Sequence, residues 1–298
     1  MAAAAISRSA MIGVAKLDRM RLHTTKRDIR ATVSDWRNTG ARIAFVPTMG
    51  YLHDGHLALV RHAKREADRV VVSIFVNPTQ FESDKDFSTY PRDNERDFAL
   101  LRAEGVDGVF VPDRSEVYGD GPEAVVDVPQ LSDVLLGALR PGHFRGVATV
   151  VVKLLNIVRP DCAVFGEKDY QQLQVIRAAV AWLDLDVTII GHPTVREPDG
   201  LAMSSRNVLM SPEDRAASVV LSRALDLAAA SDLRDGAAIE GLVRAELVRE
   251  GRADVQSVDV CDAITLAPAR GSLSAPVVVL LSVRFGTVLL IDQRVIAP

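Results

Sequence analysis

The segment Pro47-Thr48-Met49-Gly50-Tyr51-Leu52-His53-Asp54-Gly55-His56 sets two imidazoles three positions apart among glycines. It follows an apolar, strand-like run, Ala41 to Val46, and opens a helix-like stretch from His56 to Ala67. Gly50 and Gly55 let the backbone turn tightly and approach a ligand without a Cβ in the way. His56 falls in the first turn of the expected helix, where amide N–H groups and the dipole attract phosphate. With His53 three residues earlier, both rings can face one anion and donate to charge that develops on it. The competing reading is a metal-binding or surface pair, but no third ligand stands nearby and the helical i, i+4 spacing is absent. The pattern favours phosphate chemistry.

Three further segments carry groups suited to the same chemistry. Asn77-Pro78-Thr79-Gln80 directly follows the β-rich run Arg69 to Val76, at the edge where ligands bind in parallel sheets. Gln80 offers a donor and an acceptor, which suits a hydroxy acid. Gly166-Glu167-Lys168-Asp169 lies between the strand-like Cys162 to Phe165 and a helix over Tyr170 to Leu183. Its glycine and amides can approach a nucleotide, Lys168 can neutralise phosphate, and Asp169 can accept from ribose hydroxyls. Met203-Ser204-Ser205-Arg206 provides two hydroxyls and a guanidinium, all phosphate donors. Taken singly, each of these also reads as a solvated surface cluster. Asp97, with Glu95 beside it, is a candidate supporting or Mg²⁺-associated acid, against the ordinary solvated carboxylate of a helix face. Arg140 and His143 stay open between substrate and a dimer contact. Cys162 reads as an inert core residue, and Trp36 and Trp182 as packing.

The elements that must position these groups alternate. Strand-like runs at 41–46, 69–76, 108–111, 162–165 and 186–190 are separated by helical patterns that include Asp93 to Glu104, ending at Gly105, and Gly146 to Val158, closed by Pro160. Such alternation implies right-handed βαβ units and an α/β fold, a Rossmann-like doubly wound parallel sheet. The pattern changes near His192-Pro193. Ser211-Pro212-Glu213-Asp214 is a capped helix start, followed by helices over 216–230 and 237–250 and β-rich runs at 255–260, 277–283 and 287–291. Helices first and strands last predict a smaller C-terminal α+β domain. The expected division is an N-terminal extension over 1–20, disordered, a nucleotide-binding domain over 21–194 and a lid domain over 195–298. Over residues 1–27, Arg8, Lys16, Arg19, Arg21, Lys26 and Arg27 stand against Asp18 alone, so the N-terminal segment is basic. It reads as a short extension or an upstream start, with an organellar targeting segment as the alternative.

Longer strings carry a resemblance. The H-x-G-H pattern resembles that of the adenylyl-transferring α/β superfamily, and PTMGYLHDGH looks like the pantothenate synthetase family in particular. SIFVNPTQF (73–81), RPGHFRGV (140–147), FGEKDYQQL (165–173) and LAMSSRN (201–207) follow in the order and at the spacing of that family. The resemblance runs from about Arg21 to the end, with a departure at GTVLLIDQ (286–293), where the family more often has Arg and Asn. It implies an ATP-dependent ligase that activates pantoate as an acyl-adenylate and couples it to β-alanine, releasing AMP and pyrophosphate. It implies an ATP site of Met49 to His56, Gly166 to Asp169, Val195 and Met203 to Arg206, with the Val195 backbone on the adenine. It places pantoate on Gln80 and Gln172, with Gln80 also bordering β-alanine. His53, His56, Lys168, Ser204, Ser205 and Arg206 are the implied catalytic groups, with His56 as proton donor. Mg²⁺ would arrive with ATP, no prosthetic group is implied, and a homodimer is expected.

Composition leaves this open. The chain has 298 residues, 48% hydrophobic and 25% charged, enough for a full core. A net charge of −4 gives no argument for nucleic acid or membrane as partner. Two cysteines, far apart, fit neither a disulfide framework nor a zinc site and suit a reducing cytoplasm. Two rivals remain: a nucleotidyltransferase, which would keep AMP in its product, and a nucleotide-sensing module, which would release none.

Overall fold

A computed structural model describes residues 20–81, 84–121 and 123–297, and the expected leader lies outside these but for Met20. By internal contacts the chain forms two compact units. One takes the chain up to Asp127, Arg145–Phe165 and Ile176–His192; the other takes Val128–Phe144, Gly166–Val175 and the chain from Pro193 on.

The first unit holds a six-stranded sheet. The main elements in or entering it are β1 (Arg21–His23), α1 (Lys26–Asn38), β2 (Ile43–Thr48), α2 (Asp54–Glu66), β3 (Arg69–Ile74), α3 (Asn94–Ala103), β4 (Gly108–Phe110), α4 (His143–Val158), β5 (Cys162–Gly166), α5 (Tyr170–Trp182) and β6 (Thr188–His192); the start of α4, the last residue of β5 and the first half of α5 count with the other unit. The spatial order is β1-β4-β3-β2-β5-β6, and Phe45 of β2 pairs in parallel with Val71 of β3 and Ala163 of β5. From β2 the chain steps outward to β3 and β4, then returns to the other side of β2 for β5 and β6. The order therefore reverses at β2, the switch point where such sheets bind ligands beyond their carboxyl ends. Ile43, Ala44, Phe45 and Val46 are wholly buried, because a central parallel strand is covered on both faces.

The expected elements largely appear. Gly105, at φ +67°, caps α3, and its N–H returns to the Arg102 carbonyl. β1 and α1 went unforeseen. β1 spans only three residues, and α1 buries just Ile29, Thr32 and Val33 behind a Thr25 cap. β6 starts two residues late, because Asp184 takes φ +49° and the Leu185 N–H returns to the Val180 carbonyl, ending α5. Trp36 packs against the backbone of Gly108. Trp182 does not pack: it is 84% exposed.

In the second unit α6 (Pro212–Ala217), α7 (Val220–Ala229) and α8 (Gly236–Val248) precede an antiparallel meander of β7 (Asp254–Asp262), β8 (Val277–Phe285) and β9 (Val288–Ile296). The single helix expected over 216–230 breaks at Ser218, which is fully buried and whose hydroxyl bonds the Arg215 carbonyl. β9 outlasts its apolar run, since Asp292 and Arg294 find partners in Arg196 and Asp226. One face of the meander packs Val258, Val260, Val279 and Leu281 against Leu221, Leu225, Ile239 and Val243. Val278, Leu280 and Cys261 pack instead with Tyr170, Leu131 and Leu135. A sheet apolar on both sides needs this second cover, which explains why 128–144 and 166–175 group with the C-terminal stretch. Among the described residues, no helix is long and apolar enough to cross a membrane.

Candidate active site

In the first unit the β2–α2 loop is held at almost every amide. Thr48 Oγ1 donates to the Ser73 carbonyl at 2.7 Å and accepts from the Gly50 N–H at 3.2 Å. Gly50 (φ +79°) and Tyr51 (φ +51°) form a left-handed corner. A Cβ on Gly50 would stand 2.9 Å from Ile74 Cγ2, so only glycine fits. The next two amides, of Tyr51 and Leu52, donate to the two oxygens of Asp97 at 2.7 and 2.8 Å. Asp97 has no exposure, and burial pushes its carboxyl up against the opposing pull of those two bonds. This geometry gives Asp97 a supporting contact with the loop backbone. No group of three His, Cys, Asp or Glu able to hold a metal occurs among the described residues.

His53 is the N-cap of α2, and Asp54, Gly55 and His56 form its first turn. The Gly55 N–H donates to His53 Nδ1 at 3.2 Å, and the His53 N–H donates to His56 Nδ1 at 3.3 Å. Each Nδ1 is thus an acceptor, so the proton of each neutral ring sits on Nε2. The ring centroids lie 4.0 Å apart. Side by side at a helix N-terminus, two Nε2–H donors suit an anion.

Gln80 sits beside this loop, its Nε2 contacting Met49 Sδ at 3.2 Å. Its Oε1 accepts from Asn77 Nδ2 at 3.0 Å, and the same amide reaches the Gly146 carbonyl at 3.2 Å. Asn77 Oδ1 in turn accepts from the Tyr118 hydroxyl at 2.6 Å and from Thr79 Oγ1 at 3.0 Å. Lys153 Nζ lies 5.6 Å from the Tyr118 ring centre. Sequence reasoning passed over Asn77, Tyr118 and Lys153 as individual site residues. The i, i+3 spacing of Asn77 and Gln80 about Pro78 was the available sign for the first; the other two come from distant segments and left none.

In the second unit the short turn Glu167–Asp169 follows β5, with Lys168 Nζ 3.8 Å from Asp169 Oδ1. A Cβ at Gly166 would meet nothing within 4 Å, so the space beside it is open. Lys168, Asp169 and Gln172 line a cavity of about 50 Å³ together with His143, Asp259 and Asp292. Asp259 was missed because Val-Asp-Val in an alternating strand reads as a solvated face; here burial pushes its carboxyl up. Arg140 closes a short helix, Leu136–Leu139.

The Val195–Met203 turn is closed by the Met203 N–H donating to the Val195 carbonyl at 2.9 Å. Arg196 anchors it, with bonds of 2.8 and 3.0 Å to the buried carboxylate of Asp292 on β9. Ser204 Oγ accepts from the Arg206 N–H at 3.2 Å, and Asn207 Nδ2 returns to the Ala202 carbonyl. Ser204, Ser205 and Arg206 are half-buried.

Cys162 and Cys261 are free and buried, with Cys261 pushed up to about 12 by burial. Neither is a nucleophile.

A switch-point loop that presents a tautomer-fixed histidine pair at a helix start marks a Rossmann-like α/β protein with a site suited to an anion. A family model described as pantoate-beta-alanine ligase matches residues 21–295, and the chain belongs to that family. It is 51% identical over 280 residues to the pantothenate synthetase of Agrobacterium fabrum, covering 93% of this chain and 96% of that one. Identity to the enzyme of Rhizobium meliloti is 52% over 282 residues, covering 94% and 97%. The crystal structure of pantothenate synthetase from Thermus thermophilus superposes with a TM-score of 0.88 at 43% identity, covering 94% of this chain and all of that one. The Francisella tularensis pantoate-beta-alanine ligase, complexed with beta-gamma ATP and beta-alanine, superposes at 0.74 with 33% identity, covering 92% and 97%. The chain is a ligase of pantothenate biosynthesis, joining pantoate to β-alanine.

Proposed function

We propose that the reaction runs in two halves on this chain, with the histidine pair serving the first. The pantoate carboxylate oxygen attacks the α-phosphorus of Mg·ATP, the bond to the β-phosphate oxygen breaks, and pyrophosphate leaves with the metal. The amine of β-alanine then attacks the acyl carbon of pantoyl adenylate, AMP leaves, and pantothenate forms. The substrate supplies the nucleophile, so the protein's work is positioning and charge stabilisation.

The observation that carries this reading is the capping arrangement of His53 and His56, each with Nδ1 taken by a backbone N–H. Their Nε2–H groups donate to the α- and β-phosphates, His56 as the proton donor. Met49 to Gly55, Gly166, Glu167 and Asp169 line the nucleotide, with Val195 on the adenine. Lys168, Met203, Ser204, Ser205 and Arg206 hold the triphosphate. Gln80 and Gln172 orient pantoate, Gln80 also borders β-alanine, and Lys153 adds a cation on the Gln80 side. Mg²⁺ rides on the phosphates as part of the substrate. On the family resemblance alone, the working form is a cytoplasmic homodimer.

The test is isotope exchange between pyrophosphate and ATP. Exchange should require pantoate and proceed without β-alanine. Exchange supported by β-alanine alone would overturn the order of steps.

A further inference from the structure

We propose that Asp97 and Arg96, neighbours on α3, are positioning residues for adenylation: they hold the Gly50-Tyr51 corner in the left-handed shape that presents His53 and His56. The proposal rests on the roles given to those histidines above. Gly50 tolerates a positive φ. Tyr51, at φ +51°, carries a Cβ and keeps that conformation only where its surroundings impose it.

The imposing groups come from α3, not from the loop. Both oxygens of Asp97 are engaged by consecutive loop amides. Arg96 Nη1 takes the Leu52 carbonyl at 2.8 Å, and its guanidinium carbon lies 5.4 Å from the Tyr51 ring centre. A Cβ on Gly50 would come within 3.1 Å of Asp97 Oδ2, so the carboxylate packs directly against the corner. The residue after Leu52 is His53, the cap of α2. Any relaxation of the corner moves the start of that helix and both imidazoles with it. A misplacement of about 1 Å at a reacting centre costs as much as ~100-fold in rate.

The experiment compares pantoate-dependent pyrophosphate–ATP exchange in the intact chain and in Asp97→Asn, Arg96→Ala, His56→Ala and the Asp97→Asn/His56→Ala double variant. Asparagine keeps the shape but sets an NH₂ against a backbone N–H. Asp97→Asn should slow kcat about 30-fold and Arg96→Ala about fivefold, with KM for ATP moving less than about threefold in both. His56→Ala should slow kcat about 100-fold, and adding Asp97→Asn to it should cost clearly less than the full ~30-fold, no more than about tenfold, since one of the two rings the clamp places is already gone.

An Asp97→Asn rate within about twofold of the parent overturns the proposal. So does a loss that multiplies in full onto His56→Ala, the mark of a fold-wide defect. If Asp97→Asn fails to fold, Arg96→Ala in the same cycle decides by the same criteria, because its side chain is 46% exposed and outside the core. A His56→Ala enzyme at parental speed would instead overturn the histidine assignment itself.

Discussion

Among single residues, four of the six imidazoles separate into two kinds of employment. His53 and His56 use Nδ1 to cap α2, so their chemistry is on Nε2. His62 and His192 face each other, Nδ1 to Nδ1 at 3.0 Å, with His62 Nε2 3.6 Å from Glu66. Burial, with His62 and Arg65 nearby, lowers the His192 pKa below its ordinary 6.5. The unfolded chain then binds a proton that the folded chain refuses, so stability is full above 6.5 and falls as pH drops through that value. Urea denaturation at about pH 7 and about pH 5 should show this fall, and His192→Asn should shrink it; an equal fall in both proteins would contradict the assignment. What sequence revealed at this scale was the local kind of information. PTMGYLHDGH stood out as a candidate site because its glycines and histidines lie together. Asp97 reads as a candidate supporting acid, but its partners were hidden, since nothing in a helix-face acid tells that it reaches amides some 45 residues away in the chain.

Whole elements were legible where a period ran long enough. β2, β3, α4 and the meander strands follow their apolar runs. β1 was too short, and α1 too polar, to stand out. The close fit of α4 against the Asn77–Gln80 turn was equally invisible, because it depends on a missing side chain. A Cβ at Gly146 would stand 2.4 Å from the Thr79 carbonyl oxygen and 3.0 Å from the Gln80 amide nitrogen. Gly146→Ala should therefore push the turn away, destabilising the fold by about 1–3 kcal/mol and raising KM for pantoate more than KM for ATP. Denaturant titration and steady-state kinetics check both. An alanine variant of parental stability and KM would show that the turn has slack.

Across the whole molecule, the sheet order places the loop after β2 at the reversal of strand order, the position such sheets reserve for ligands. The alternation of elements foretold this architecture; the inclusion of 128–144 and 166–175 in the second unit could not be foretold, because those stretches read like any other part of the α/β run. Arg196 and Asp292 show the same limit: a pair with a buried carboxylate and a half-buried guanidinium, spanning most of the C-terminal stretch, ties the Val195–Met203 turn to β9. The central claim is that a carboxylate displaces pyrophosphate before any amine attacks. Pantoate labelled with ¹⁸O in its carboxylate tests it most directly. After turnover with ATP and β-alanine, mass spectrometry should find one labelled oxygen in the phosphate of AMP and the other in the amide carbonyl of the product. AMP free of label, or label in pyrophosphate, would contradict the account.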